Sequence, residues 1–172
     1  SKVKFIAGHS LGEYSALVCS DSLKFEDAIY LLHERGKAMQ EAVPVGKGSM
    51  LAVLGAKIKD INDLLNSFKD KGVCEIANDN ADGQVIISGD KDTIISFQSL
   101  LKEKKIKSIP LKVSAPFHCK LMSKATEIMK IEIENANFKN FQNFLIRCSG
   151  MIRHPKYFSL VVSKFLTRIR NC

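Results

Sequence analysis

The sequence predicts an α/β fold in which a β-α-β-β-α-β lobe interrupts a larger subdomain. Three observations predict it. A short apolar strand, Lys2 to Ala7, enters the turn Gly8-His9-Ser10-Leu11-Gly12 and leaves it as a helix. Between Ser49 and Val113, strand and helix patterns follow one another in the order β-α-β-β-α-β. After that stretch the chain passes through Ser114-Ala115-Pro116-Phe117-His118 into another helical pattern.

Each element has its own signal. Val3, Phe5 and Ile6 make the first strand apolar, and Glu13 to Cys19 contains no helix breaker. Phe25 to Val43 repeats apolar residues at 25, 28, 32, 39 and 43, the period of a helix with one buried stripe, and Pro44 and Gly46 end it. Ser49 to Gly55 reads as a strand and Ile58 to Phe68 as a helix. Val73 to Ala77 and Gln84 to Ser88 read as strands joined by a polar turn, Asn78 to Gly83. Thr93 to Lys104 reads as a helix, and Ile106 to Val113 alternates like a strand. This order is the split βαβ pattern of a ferredoxin-like lobe. A helix from Leu121 to Glu134 follows the His118 loop. The expected organisation is thus 1–45 in the larger subdomain, 46–112 in the lobe, 113–138 back in the larger subdomain, and 139–172 as a basic tail.

Composition narrows the function. At 45% hydrophobic and 26% charged over 172 residues, the chain is an ordinary globular domain. No apolar run approaches the ~18 residues of a membrane-spanning helix, and no signal peptide opens the chain. Five scattered cysteines, at 19, 74, 119, 148 and 172, form neither a metal pattern nor an even disulfide set, which points to reduced thiols and a cytoplasmic protein. Four scattered histidines make no metal motif, so no metal site is expected. The net charge of +8 does not indicate nucleic acid: the last acidic residue is Glu134, and the excess cations (Arg147, Arg153, Lys156, Lys164, Arg168 and Arg170 among them) follow it, leaving the body nearly neutral.

Three positions could carry chemistry. Gly8-His9-Ser10-Leu11-Gly12 is a G-x-S-x-G sequence between a strand and a helix, the setting of a nucleophile elbow. There the Leu11 N–H and the helix N-terminus could stabilise an oxyanion; an ordinary glycine-rich turn is the competing reading. With Ala28 at zero and ~100° per residue, Arg35 falls near about −20°, at the edge of the apolar stripe. It either snorkels to water or presents its fork to a carboxylate. His118 ends a Pro-Phe-His loop and is either structural or the base that a serine nucleophile needs. His9, His33, His154, Cys19 and Cys119 have weaker claims.

Taken together, four motifs resemble the malonyl-CoA:acyl-carrier-protein transacylase family. They are Gly8 to Leu17, Arg35-Gly36-Lys37-Ala38-Met39-Gln40, Ala77-Asn78-Asp79-Asn80 with Gly83 to Gly89, and Pro116-Phe117-His118-Cys119. The resemblance spans roughly residues 3 to 138 and implies an α/β-hydrolase-like acyltransferase subdomain with a ferredoxin-like lobe. It implies ping-pong transfer of malonyl from malonyl-CoA to the phosphopantetheine thiol of acyl carrier protein, with no permanently bound cofactor. Ser10 would be the nucleophile, His118 its base, Leu11 an oxyanion donor, Arg35 the partner of the malonyl carboxylate, and Asn80 a further substrate contact. Phe117, before the histidine, accompanies malonyl over methylmalonyl in related domains. A polyketide-synthase acyltransferase shares these motifs. A patatin-like hydrolase would use an Asp-Gly pair such as Asp82-Gly83, and an inactive remnant is a further alternative. The family's preceding strand and G-Q-G loop are absent, and the acid-free text after Phe141 departs from the family. A truncated chain with a frameshifted or fused tail, poorly soluble and weakly active, is therefore expected.

Overall fold

The computed structural model describes residues 5–68, 72–139 and 144–147. They fall into two units: one combines the described residues up to Ala38 with those from Thr126 onward, and the other is Met39–Ala125.

In the first unit, β1 (Phe5–Gly8) lies parallel to β6 (Phe144–Arg147), with Phe5 opposite Phe144 and Gly8 opposite Arg147. Parallel neighbours cannot be joined by a hairpin and need a crossover connection. Helix α1 (Leu11–Cys19) follows the turn after β1, and α2 is Phe25–Ala42. The core joins Tyr14 and Leu17 of α1, Leu23, Ala28 and Leu31 of α2's region, and Met129 and Ile133 of α5 (Ser123–Asn135). Between α1 and α2 the buried hydroxyls of Ser20 and Ser22 bond each other at 2.9 Å, and Ser20 Oγ also donates to the Leu17 carbonyl at 2.9 Å, so neither is left unsatisfied. Tyr30 donates its hydroxyl to Glu132 at 2.9 Å, linking α2 to α5.

The second unit is built on a four-stranded antiparallel sheet in the order β3-β4-β2-β5. Its elements are β2 (Gly48–Leu54), α3 (Ile58–Ser67), β3 (Cys74–Ala81), β4 (Gln84–Asp90), α4 (Lys91–Glu103) and β5 (Lys107–Pro110). Alternation sorts the side chains by face. Leu51, Val53, Val85 and Ile87 pack with Ile61 of α3 and with Ile94, Phe97 and Leu101 of α4. Met50, Ala52 and Ile86 point the other way, where Leu111 and Phe117 cover them. A 3-10 helix, Lys120–Met122, leads from the His118 loop into α5.

Several boundaries differ from the sequence reading. Helix α1 starts at Leu11 rather than Glu13, because the elbow places Leu11 and Gly12 in its first turn. Strand β3 continues through Ala81, although Asn78, Asp79 and Asn80 are poor strand formers. The apolar Val85-Ile86-Ile87 run of β4 recruits them, and the register shifts between Ile76 and Asn78 and between Asp79 and Ala81, leaving Ala77 and Asn80 as extra residues. Strand β5 is shorter than its alternation implied, for Pro110 closes it at the sheet edge. Phe25, placed on the buried stripe of α2, is 62% exposed. The face that is buried runs through Ala28, Leu31 and Ala38. Its centre lies near about −45° on the earlier wheel, so Arg35 stands inside the buried face rather than at its edge. Apart from Lys139 and β6, the expected basic tail lies outside the described residues.

Candidate active site

Ser10 sits between β1 and α1 with φ 53° and ψ −111°, a combination that L-residues avoid. Such a backbone costs on the order of 1–3 kcal/mol and persists only where its surroundings enforce it. Here the enforcement is visible. Gly12 donates its N–H to the His9 carbonyl at 2.9 Å, and Glu13 donates to the Ser10 carbonyl at 3.1 Å. The turn closes so tightly that a Cβ on Gly8 would collide with the Gly12 carbonyl and with the Glu13 nitrogen. Gly8 therefore has to be glycine, whereas the space beside Gly12 is open. The second glycine of the motif contributes the approach of its carbonyl, not the absence of its side chain.

Arg35 Nη2 donates to Ser10 Oγ at 2.9 Å. The structure thus brings together the serine and the arginine that the sequence singled out 25 positions apart. The guanidinium makes the contact charge-assisted, and because both groups are partly buried it is only partly screened by solvent. Leu11 opens α1 with its side chain 55% exposed. Its N–H belongs to the first turn, where amides lack intrahelical partners. Glu13, in the same turn, is a buried carboxylate that the sequence reading passed over. An acid at that position favours the positive end of the helix dipole, and its place between Gly12 and Tyr14 was the available signal.

His118 and Asn80 belong to the second unit. His118 is half-buried, with a left-handed φ of 60°. Its loop is seated by Pro116, which is fully buried against Gly48 so closely that a Cβ on Gly48 would strike the proline ring. Phe117 packs against Val43, Ala115 and Met122 on one side and against Met50, Ala52 and Ile86 on another. The Cys119 thiol donates to the Pro116 carbonyl at 3.2 Å, and Met122 N–H donates to the Cys119 carbonyl at 2.9 Å. Burial pushes the Cys119 thiol up, with the neighbouring Ser88 hydroxyl opposing the shift. Ser88 Oγ itself is fully buried and is left without a well-formed hydrogen bond. Glu75 of β3 accepts the Lys120 N–H at 2.9 Å, a contact that no sequence motif signals. Only the alternation of Glu75 with Cys74 and Ile76 placed it on the sheet face away from the helices.

Asn80 is exposed at the second bulge of β3. A bulge re-aims a side chain out of the strand's regular alternation, which suits a contact residue. Asp82, the acid of the hydrolase alternative, is exposed in the β3–β4 turn. Among the described residues no group of three or more His, Cys, Asp or Glu could hold a metal ion. No helix among them is long and apolar enough to cross a membrane.

Comparison with known proteins agrees with this geometry. The acyl transferase domain family matches residues 2–151, a span that includes β6. The malonyl CoA-acyl carrier protein transacylase of Bacillus subtilis is 42% identical over 138 residues, covering 79% of this chain and 44% of that protein. Its namesake in Haemophilus influenzae is 44% identical over 135 residues, covering 78% and 43%. The chain therefore spans less than half the length of these relatives. Among solved structures, the acyl-carrier-protein-S-malonyltransferase of Bartonella henselae superposes with a TM-score of 0.84 at 38% identity, over 98% of this chain and 54% of that one. A malonyl-transacylase in complex with its type II PKS acyl-carrier protein superposes with a TM-score of 0.85 at 32% identity, over 98% and 54%. With most of its length matched, and with Ser10 and Arg35 joined at a strained strand-to-helix turn, the chain belongs to the acyl transferase domain family.

Proposed function

We propose that this chain carries the acyl-transfer centre of a malonyl-CoA:acyl-carrier-protein transacylase. The observation that carries the proposal is the 2.9 Å hydrogen bond from Arg35 to Ser10 Oγ. A malonyl ester on Ser10 bears its free carboxylate one methylene from the ester carbon. A guanidinium already touching the nucleophile is within reach of that carboxylate and can exchange the hydroxyl for it. An acetyl group offers no carboxylate, so the cation would be left without its partner in a partly buried site.

The proposed chemistry runs in two halves. Ser10 Oγ bonds to the thioester carbonyl carbon while His118 takes the hydroxyl proton. The carbon–sulfur bond then breaks, CoA leaves as the thiol with that proton, and malonyl remains as a serine ester. The phosphopantetheine thiol of acyl carrier protein repeats the steps in reverse and collects the malonyl group. Leu11 N–H supplies an oxyanion donor at the positive end of α1. Asn80 is assigned a further contact with the substrate. The transacylase solved with its acyl-carrier protein supports the choice of acceptor. That structure's polyketide context leaves the pathway of the acceptor as a second reading.

The same proposal assigns 46–112 as a ferredoxin-like lobe, 1–45 and 113–138 as parts of an α/β-hydrolase-like subdomain, and a cytoplasmic location. The β5-β2-β4-β3 order, with α3 and α4 packed on one face, supports the lobe assignment. The test is transfer: the chain, malonyl-CoA and holo acyl carrier protein are incubated, and the carrier protein is weighed. Malonylated carrier protein that depends on Ser10 is the expected product. Free malonate with unmodified carrier protein would assign a hydrolase instead.

A further inference from the structure

We propose that Glu75 is a positioning residue that holds His118 in place. The inference rests on the base role proposed for His118. Within three residues the chain turns from the left-handed φ of His118, at 60°, through the extended Cys119, at φ −128° and ψ 173°, into the 3-10 helix that begins at Lys120. A left-handed backbone is uncommon and costly even for histidine, and contacts on both sides hold it here. On the N-terminal side Pro116 is locked against Gly48. On the C-terminal side the helix start needs a cap, and Cys119, at the capping position, makes no side-chain cap bond. Its thiol is turned back to the Pro116 carbonyl instead.

Glu75 fills that role from another strand. Its carboxylate accepts the Lys120 N–H at 2.9 Å, supplying the negative acceptor that a helix start favours. A second contact, Lys120 Nζ to Glu75 at 3.6 Å, is exposed and adds little. Glu75 stands directly opposite Ser88 in the β3–β4 register, and Ser88 neighbours the Cys119 thiol. One cross-strand pair of the sheet thus meets both residues that follow His118. Without the Glu75 carboxylate, the exposed Lys120 N–H turns to water, the tie to β3 is lost, and His118 can relax to an ordinary φ, carrying its imidazole away from the working geometry.

Four variants test this. Glu75→Ala removes the acceptor, and Glu75→Gln keeps a neutral one. Lys120→Pro removes the donor at a first helical position that proline tolerates, after a residue already extended. Lys120→Ala removes only the exposed ion pair. Two quantities are read: the rate of Ser10 malonylation at saturating and limiting malonyl-CoA, and the imidazole NMR signals of His118. Glu75→Ala and Lys120→Pro are expected to lower the saturated rate by roughly tenfold to a hundredfold, with KM nearly unchanged, and to shift the His118 signals. Glu75→Gln and Lys120→Ala should stay near wild type. Wild-type rates and signals in Glu75→Ala would overturn the proposal, as would a Gln variant as impaired as the Ala variant. If Glu75→Ala does not fold, Lys120→Pro decides between the same outcomes. If the wild-type chain itself does not load malonyl, the functional assignment fails, and the His118 signals alone still decide the role of Glu75.

Discussion

Ser10 and His118 share a backbone feature with only Asp21 and Lys105 among the described non-glycine residues, a positive φ. Asp21 follows α1 and Lys105 follows α4, where chains commonly turn left-handed. Ser10 and His118 lie before helices, so their strain has no such routine explanation. For Ser10 the enforcing contact is the Gly12 carbonyl against Gly8. Gly8→Ala is expected to destabilise the chain by about 2–3 kcal/mol through overpacking and to abolish serine acylation. Gly12→Ala meets open space and should fold with the elbow intact. Denaturant titration of the two variants checks the contrast, and equal losses would refute the asymmetry. Cys119 offers a second check at this scale. Its pKa is raised by burial, which disfavours the reactive thiolate. Below that raised pKa the thiol stays neutral, so at pH 8 Cys119 should alkylate far more slowly than the exposed Cys19. A Cys119 labelled as fast as Cys19 would contradict the buried arrangement.

At the scale of elements, order and type were legible from the sequence from β1 to α5, because most segments' periodicity matched their burial, whereas β6 falls in the stretch read as a basic tail. Leu51 and Val53 alternate with Met50 and Ala52, and the two pairs face opposite sides of the sheet. Limits were less legible where a partner strand overrode local preference. Asn78 to Asn80 read as a turn, yet the apolar β4 opposite them holds them in β3 through two bulges. Phe25 shows the converse: its spacing fitted the stripe of α2, but it sits in the helix's first turn with its side chain exposed. That shift of the buried face moved Arg35 from an edge to an interior position, which no single-helix wheel could show. Between β2 and the His118 loop, Gly48 fits closely under Pro116. Gly48→Ala is expected to push the Pro116-Phe117-His118 loop off the sheet, costing about 1–3 kcal/mol and moving the His118 NMR signals. Unmoved signals would show that the loop does not depend on that seat.

At the scale of the molecule, the candidate site was legible as residue types in motif order, while the contacts that hold it were not. Ser10 and Arg35 could be named from the sequence, but their hydrogen bond required the fold. Glu13 lay inside the Gly8 to Leu17 motif without a role of its own and Glu75 lay in no motif; they emerge only from burial and from the contact of β3 with Lys120. The two units have separate cores, one around Leu17 and Leu31 and the other around Phe97 and Leu101. Leu101→Ala is expected to cost about 2–5 kcal/mol. Hydrogen exchange should then quicken in β2, β4 and α4 while α1 keeps its protection; uniform loss across both units would show a single cooperative core. The central claim, that Ser10 and Arg35 form a malonyl-loading centre, is tested most directly by weighing the intact chain after brief exposure to malonyl-CoA or acetyl-CoA. The expected result is one malonyl group on the wild type, little acetyl, none of either on Ser10→Ala, and malonyl loading reduced about a hundredfold in Arg35→Ala. A folded wild-type chain that gains no malonyl, or one whose Ser10→Ala variant still gains it, would contradict the account.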